Sequence, residues 1–566
     1  MDSGAKLSRK RFLELAGLGV TGTMLPWSVH RERLPLALAG AIQQAQEQGV
    51  EITDGDVRSF LKIVGLEFTD AEVTQALAAV RAQPRLLTQM RRDPITYLTV
   101  PPTPFQPWTE PLESESETEV TVDYTGVSKP STDEDIAFLS IRELGALLRT
   151  KQISPVELTR LYLDRLTRYG SELLCVVNLT EELALKQAAQ AEAELSRGDD
   201  RGPLHGIPYG LKDLFAVEGY PTTWGAAPFR DQVLHHNATT YDRLTEAGAI
   251  LLAKLSLGAL AEGDVWFEGR TKNPWNTAQG SSGSSAGSGC ATAAALCAFT
   301  IGTETLGSII SPSFQCRVTG LRPTFGRTSR YGAMPVSWSM DKVGPMCRNI
   351  EDCALVFAAI IGSDPLDSTT VDRPFHWIPT ASINDLRVGY LVGSNAPEDI
   401  PAFMEPIVAL GIEPKRVTIP ATPPGLDRIL MCEGAAAFDD IVRDGRINEI
   451  ENSNWPRNYR AARFFSAVDY LQAQRLRRQA MDAYQAATEN FDVIVASNRG
   501  DSGLVLTNYT GHPQAIIPQG VTESGAPRSL SFFGRLFGEE PILRLAKAVQ
   551  DRGNFHRLRP DLSGLR

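Results

Sequence analysis

Residues 273–324 read NPWNTAQGSSGSSAGSGCATAAALCAFTIGTETLGSIISPSFQCRVTGLRPT. Gly and Ser dominate the start, an Ala-rich run and a short apolar run follow, and a second Gly-Ser turn comes after them. Flexible linkers are also rich in Gly and Ser. A linker does not alternate with apolar segments such as ATAAALCAF, or lead into QCRVTGL. The stretch therefore reads as a buried active-site scaffold with two turns. One holds Gly283, Ser284 and Ser285; the other holds Thr305, Leu306, Gly307 and Ser308.

On either side, short apolar runs alternate with helical patterns. Upstream, Ser140-Ile141-Arg142-Glu143 and Ser154-Pro155-Val156-Glu157 are capping boxes, the second with proline at the first helical position. EELALKQAAQAEAEL is a helix ended by Gly198. LHGIPYGLKDLFAV is strand-like around Lys212, and ATTYDRLTEAGAILLAKLSL reads as helix then strand. Downstream, LRVGYLV and FDVIVAS are strands, NYTGHPQAIIPQG and SLSFFGRLFG close the sheet, and EEPILRLAKAVQ is a helix. This alternation predicts an α/β sheet covered on both sides.

Outside this domain the chain changes character. Ser8-Arg9-Lys10-Arg11-Phe12-Leu13 leads into LELAGLGVTGTML, a basic segment before an apolar run too short to span a membrane. It resembles a twin-arginine export signal with Lys10 in place of the second arginine, and Ala37-Leu38-Ala39 suits cleavage. Export to the periplasm is the expectation for 1–39, with a cytoplasmic protein as the alternative. Residues 40–100 form a helical extension; Thr69-Asp70-Ala71-Glu72 opens one amphipathic run. Ser59 and Lys62 there match an SxxK spacing by chance, since its companion motifs are absent. Residues 101–134 are a proline-rich then acidic linker, and 135–566 form the main domain. Its 395–490 portion is mostly helical, a peripheral layer or lid.

Composition narrows the class. Over 566 residues the net charge is −11, which disfavours nucleic acid and anionic membranes as partners. The seven cysteines form no CxxC pair and do not cluster with the seven histidines, so neither a metal site nor a disulfide framework is expected. Most of these cysteines sit in apolar runs, as packed thiols do.

Lys212 stands inside an apolar strand, where burial lowers a lysine's pKa and turns it into a general base. A salt bridge to a carboxylate is the bland alternative. A serine needs such a base, and the Gly-Ser region contains no histidine. Gly283-Ser284-Ser285-Ala286-Gly287 fits GxSxG, but a nucleophile elbow needs an apolar strand before it, and NPWNTAQGSS is polar. The second turn does follow an apolar run. Successive N–H groups there can form an oxyanion hole, with Ser308 placed to attack.

These segments together resemble the amidase signature family of serine hydrolases. The matching residues are GIPYGLKDLF, NPWN followed by SGSSAGS, GTETLGSI, GLRPT, DKVGPM, NYTGHP and FFGRLF, across 135–550. The resemblance implies the amidase signature fold, a mixed central β-sheet covered by helices on both faces. It implies a Ser-Ser-Lys triad of Ser308 as nucleophile, Ser284 as bridging serine after a cis peptide, and Lys212. Thr305, Leu306 and Gly307 would complete the oxyanion hole, and Ser285 would support it.

The chain also departs from the family. Leu306-Gly307 replaces Gly-Gly, which is expected to restrict the oxyanion turn and narrow the pocket. Glu304 replaces aspartate. Ile310 replaces arginine, so an ion pair bracing the loop is expected to be absent. Ser281-Ser282-Gly283 replaces Pro-Gly-Gly. The function implied is hydrolysis of a small-molecule amide, without metal or cofactor. The alternatives are the transamidation component of a tRNA-dependent amidotransferase and a non-catalytic member. A homodimer is left open. The 395–490 layer and the loop around Trp224 are expected to shape the acyl pocket.

Overall fold

The computed structural model describes residues 51–74, scattered positions from 76 to 107, and 117–565 apart from 394 and 395. The segment read as an export signal lies outside them. The chain divides into two units, Met1–Pro94 and Ile95–Arg566.

In the first unit, helix Asp54–Val64 starts at a Thr53 capping box and ends at Gly65 in the left-handed region. Thr69 and Glu72 cap the next helical segment reciprocally. Val57, Leu61, Val73 and Leu77 form a small core.

The second unit is built on an 11-stranded mixed sheet. Its strands in chain order are β1 (Val176–Leu179), β2 (Pro208–Lys212), β3 (Ile250–Leu255), β4 (Phe299–Glu304), β5 (Thr319–Arg322), β6 (Lys342–Cys347), β7 (Val388–Leu391), β8 (Lys415–Val417), β9 (Val493–Ser497), β10 (Gln514–Val521) and β11 (Pro527–Gly534). Their spatial order is β8-β7-β9-β11-β10-β5-β6-β4-β2-β3-β1. β2 runs parallel to both β3 and β4, whereas β6 runs antiparallel to β4 and β5. Every residue of β2, β3, β5 and β6 is buried. Helices cover both faces, so these strands are buried even where they carry a charged residue, as at Lys212, Lys254, Arg322 and Lys342.

The helices begin where capping residues place them. Ser140 and Ser154 both form reciprocal capping boxes, and Gly198 ends Glu181–Arg197 in the left-handed conformation. Asn508 to Thr510 of NYTG belong to helix Asp501–Thr510 rather than to a strand, Gly511 caps that helix, and β10 starts only at Gln514. In the stretch read as a linker, Glu119 and Val120 pair in parallel with His376 and Trp377.

Residues 427–488 carry helices Asp427–Ala437, Asp439–Asp444, Trp455–Ala462 and Ala467–Thr488. Aromatic contacts join them to the Trp224 loop: Trp224 to Phe438, Phe438 to Tyr459, and Tyr459 to Trp455 at 4.7 Å. All seven cysteines are free thiols, and all but Cys432 are buried. Among the described residues no helix is long and apolar enough to cross a membrane.

Candidate active site

Lys212 ends β2 with its side chain wholly buried. Its amine meets three hydroxyls: Ser284 Oγ at 2.8 Å, Thr303 Oγ1 at 2.9 Å and Ser285 Oγ at 3.1 Å. Among the described residues no carboxylate forms a salt bridge with it; the neighbouring Asp213 is taken by Lys254 at 2.7 Å. Burial pulls the Lys212 amine down to about 7, against the opposing pull of the Asp341 and Glu304 charges. Near neutral pH the amine is therefore part unprotonated and able to accept a proton.

The Gly283–Ser284 peptide bond is cis. A Cβ on Gly283 would lie 1.8 Å from the Gly263 carbonyl oxygen, so only glycine fits there. The two adjacent serines differ in what their hydroxyls do. Ser285 Oγ donates to the Thr303 carbonyl at 3.1 Å and accepts from the Thr303 N–H at 3.2 Å. Its proton is committed, and it is fully buried at the head of helix Ala286–Ala293. These bonds leave the Ser285 hydroxyl less free than that of Ser284. Ser284 Oγ has only the lysine as a partner among the described residues, so its proton is free to move.

Ser308 is half-buried at the end of the turn that follows β4. The Ser285 N–H donates to its carbonyl at 3.1 Å, which fixes the two turns to each other. The hydroxyls of Ser284 and Ser308 share no hydrogen bond. Among the described residues the N–H groups of Thr305, Leu306, Gly307 and Ser308 donate to no protein acceptor. Successive N–H groups in such a turn are of the kind that can bind an anion. Gly307 has φ 109°, a conformation that requires glycine. Leu306 is not among the residues of positive φ, and its side chain is 37% exposed. The expected restriction at Leu306 is therefore absent: the position asks for no special backbone, and the side chain points outward.

The brace of this turn differs from the sequence expectation. Glu304 Oε2 accepts from the N–H groups of Ile309 and Ile310, both at 2.9 Å. Glu304 Oε1 accepts from Arg322 Nη1 at 2.9 Å and Asn508 Nδ2 at 2.8 Å. Glu304 and Arg322 are both fully buried. Burial alone would raise the Glu304 carboxyl, but Arg322, the Ile310 N–H and Asn508 together hold it below its ordinary value. The ion pair expected to be missing is present, supplied from β5 rather than from position 310.

Three residues bonded to Lys212 or Glu304 escaped the sequence reading, although each lies in a quoted motif. Thr303 of GTETLGS is the third hydroxyl on Lys212. Arg322 of GLRPT and Asn508 of NYTGHP brace the turn. A further one, Asp341 of DKVGPM, accepts from Thr305 Oγ1 at 2.6 Å. A small cavity of about 40 Å³ lies beside Thr303, walled by Met334, Val336, Trp338 and Val343. Among the described residues no group of three or more His, Cys, Asp or Glu could hold a metal ion.

A sequence model of the amidase family matches residues 157–543. The chain belongs to the amidase signature family. Among its relatives are the A subunits of bacterial glutamyl-tRNA(Gln) amidotransferases. It is 32% identical over 480 residues to the one from Roseiflexus sp. strain RS-1, covering 75% of this chain and 98% of the relative. It is 30% identical over 486 residues to the one from Moorella thermoacetica, covering 76% and 99%. The crystal structure of the Stenotrophomonas maltophilia peptide amidase superposes with a TM-score of 0.65 at 26% identity, covering 73% and 97%. This amidase-family chain is thus an enzyme of the amide C–N bond class, on the mixed α/β fold of its relatives.

Proposed function

We propose that this amidase-family enzyme cleaves a carboxamide through an acyl-enzyme on Ser308. Neutral Lys212 takes the proton of Ser284, and Ser284 takes that of Ser308. The Ser308 oxygen adds to the amide carbonyl, and the N–H groups of Thr305 to Ser308 hold the resulting oxyanion. Losing one such donor typically raises a barrier by about 3 kcal/mol. The proton returns through Ser284 to the departing nitrogen as the C–N bond breaks. Water or another nucleophile then releases the acyl group. The observation supporting this reading is the buried amine at 2.8 Å from Ser284 Oγ, with a pKa of about 7. The Ser284–Ser308 contact would form on substrate binding, as catalytic hydrogen bonds often tighten only then.

Two settings suit this chemistry. The relatives, named as subunits of glutamyl-tRNA(Gln) amidotransferases, favour a role in tRNA-dependent transamidation beside partner subunits. That role places the chain where tRNA is charged, so it favours the cytoplasmic alternative over export. The second setting is a free-standing amidase, favoured by the likeness to the peptide amidase. The test labels the full chain with a fluorophosphonate, then repeats with Ser308→Ala and Lys212→Met. Labelling of the wild type alone supports the triad; an unlabelled wild type refutes it and leaves a non-catalytic member. Ammonia release is then compared between glutamine and peptide amides, alone and after pull-down from the native host. Glutamine turnover that rises with co-purified partner proteins selects transamidation; peptide amide turnover by the isolated chain selects the amidase.

A further inference from the structure

The free N–H run from Thr305 to Ser308 lies between two buried carboxylates. Glu304 holds the backbone just after it, at Ile309 and Ile310. Asp341 holds its beginning, accepting from Thr305 Oγ1 at 2.6 Å. The other oxygen of Asp341 accepts from the N–H groups of Val336 at 2.8 Å and Ser337 at 3.0 Å. Gripped on both oxygens, this carboxylate cannot rotate away from Thr305.

The loop that grips Asp341 is itself anchored to the helical layer. Glu433, on Asp427–Ala437, accepts from Ser337 Oγ at 2.6 Å, Ser339 N–H at 3.0 Å and Ser339 Oγ at 2.8 Å. Tyr470 donates to the same carboxylate at 2.8 Å. Arg477, on Ala467–Thr488, donates to Ser339 Oγ at 2.8 Å and to the Ser339 carbonyl at 2.6 Å. Asp341, Glu433 and Arg477 are all at least nine-tenths buried. Water therefore does not compete with these charge-assisted bonds. A continuous polar chain runs from helices 427–488, through loop 336–341, to the first residue of the free turn.

We propose that Asp341 is a positioning residue for the Thr305–Ser308 turn, and that through it the helical layer 427–488 sets the geometry of that turn. This rests on the reading of Ser308 as nucleophile. An N–H aimed at developing charge is useful only if it does not have to reorganise during the reaction. Nothing else on the described side chains fixes Thr305, because Leu306 and Gly307 offer no polar side chain and Glu304 acts only beyond Ser308. The charge of Asp341 also faces the triad: Asp341 and Glu304 are the two anions that favour the protonated form of Lys212. Arg330 faces Asp341 in turn. Neutralising Asp341 therefore makes Lys212 easier to deprotonate, an effect that a purely structural residue lacks.

The test measures the fluorophosphonate labelling rate of the full chain from pH 5 to 9, for the wild type and for Thr305→Val, Thr305→Ser and Asp341→Asn. Thr305→Val, which keeps the shape but loses the donor, is expected to label about tenfold more slowly or worse, with the acid limb unmoved. Thr305→Ser restores most of the rate. Asp341→Asn moves the acid limb to lower pH. A Thr305→Val rate equal to wild type, or an Asp341→Asn limb that stays in place, overturns the proposal. If Thr305→Val does not fold, the nearly isosteric Asp341→Asn profile decides alone. A wild type that never labels overturns the nucleophile reading first, and this proposal with it.

Discussion

The pH dependence of Ser308 reactivity tests the site most directly, because it reads the titration of Lys212. Burial brings this amine from 10.5 to about 7. Only the neutral form can accept the proton of Ser284. With a pKa of about 7 the neutral fraction is about 9% at pH 6 and about 91% at pH 8, a roughly tenfold rise that then levels off. An ordinary exposed lysine would be about 0.3% neutral at pH 8, and the rate would climb about a hundredfold from pH 6 to 8 with no plateau below pH 10. The sign is fixed by the direction of the shift: activity is lost as pH falls through the folded pKa and is full above it.

The assay is the second-order rate of fluorophosphonate labelling at constant ionic strength, with the fluorescence of the labelled band as readout. Lys212→Met removes the titrating group and should flatten the profile at a much lower rate. Ser285→Ala removes one of the three hydroxyls on the amine but leaves it buried, so it should keep a limb near neutrality. A wild-type rate that climbs log-linearly through pH 9 would refute the buried-base argument. So would a limb that survives in Lys212→Met, because the titrating group would then lie elsewhere.

Other substitutions probe the frame around the triad. Ile310→Arg, which restores the residue usual in the family, should destabilise the chain by at least about 4 kcal/mol in urea unfolding. Ile310 is fully buried against Leu504 and Ile516, and Glu304 already has its cation. Leu306→Gly should change stability by about 1 kcal/mol or less, the ordinary entropic cost of glycine, because no backbone strain is relieved. Gly283→Ala should abolish labelling, since its methyl would sit 1.8 Å from the Gly263 oxygen and displace Ser284. Glu304→Asp withdraws the carboxylate by one methylene and should be destabilising, and Ile310→Arg added to it should recover part of the loss. A double-mutant cycle with zero coupling would refute that link.

The site residues that could be read from sequence are those whose chemistry is local. Lys212 stands out because an apolar strand surrounds it, and Ser284 because a Gly-Ser turn carries it. Their partners could not be read in this way. Arg322 reaches Glu304 across an intervening strand, since the sheet order is β5-β6-β4 while chain order puts β5 directly after β4. Asn508 is 204 residues from Glu304. The inward polar contacts of the helical layer were hidden for a similar reason: Glu433 and Arg477 look like surface charges in sequence, whereas both are buried. The strand reading of NYTG failed because Tyr and Thr suit a strand as well as a helix, and four residues are too few to show a period.

The same long-range pairing changes how the two departures at the turn are understood. Taken position by position, Glu304 is a lengthened acid and Ile310 a lost cation. In the fold they act on one carboxylate. Its outer oxygen serves the Ile309 and Ile310 N–H groups while the inner one meets Arg322 and Asn508, and a side chain of glutamate length spans both sets. With the charge balanced by Arg322, an arginine at 310 is no longer needed, and an apolar residue can pack in its place. A departure from a family motif thus says little about lost function until the acceptor it served has been followed to its present donors.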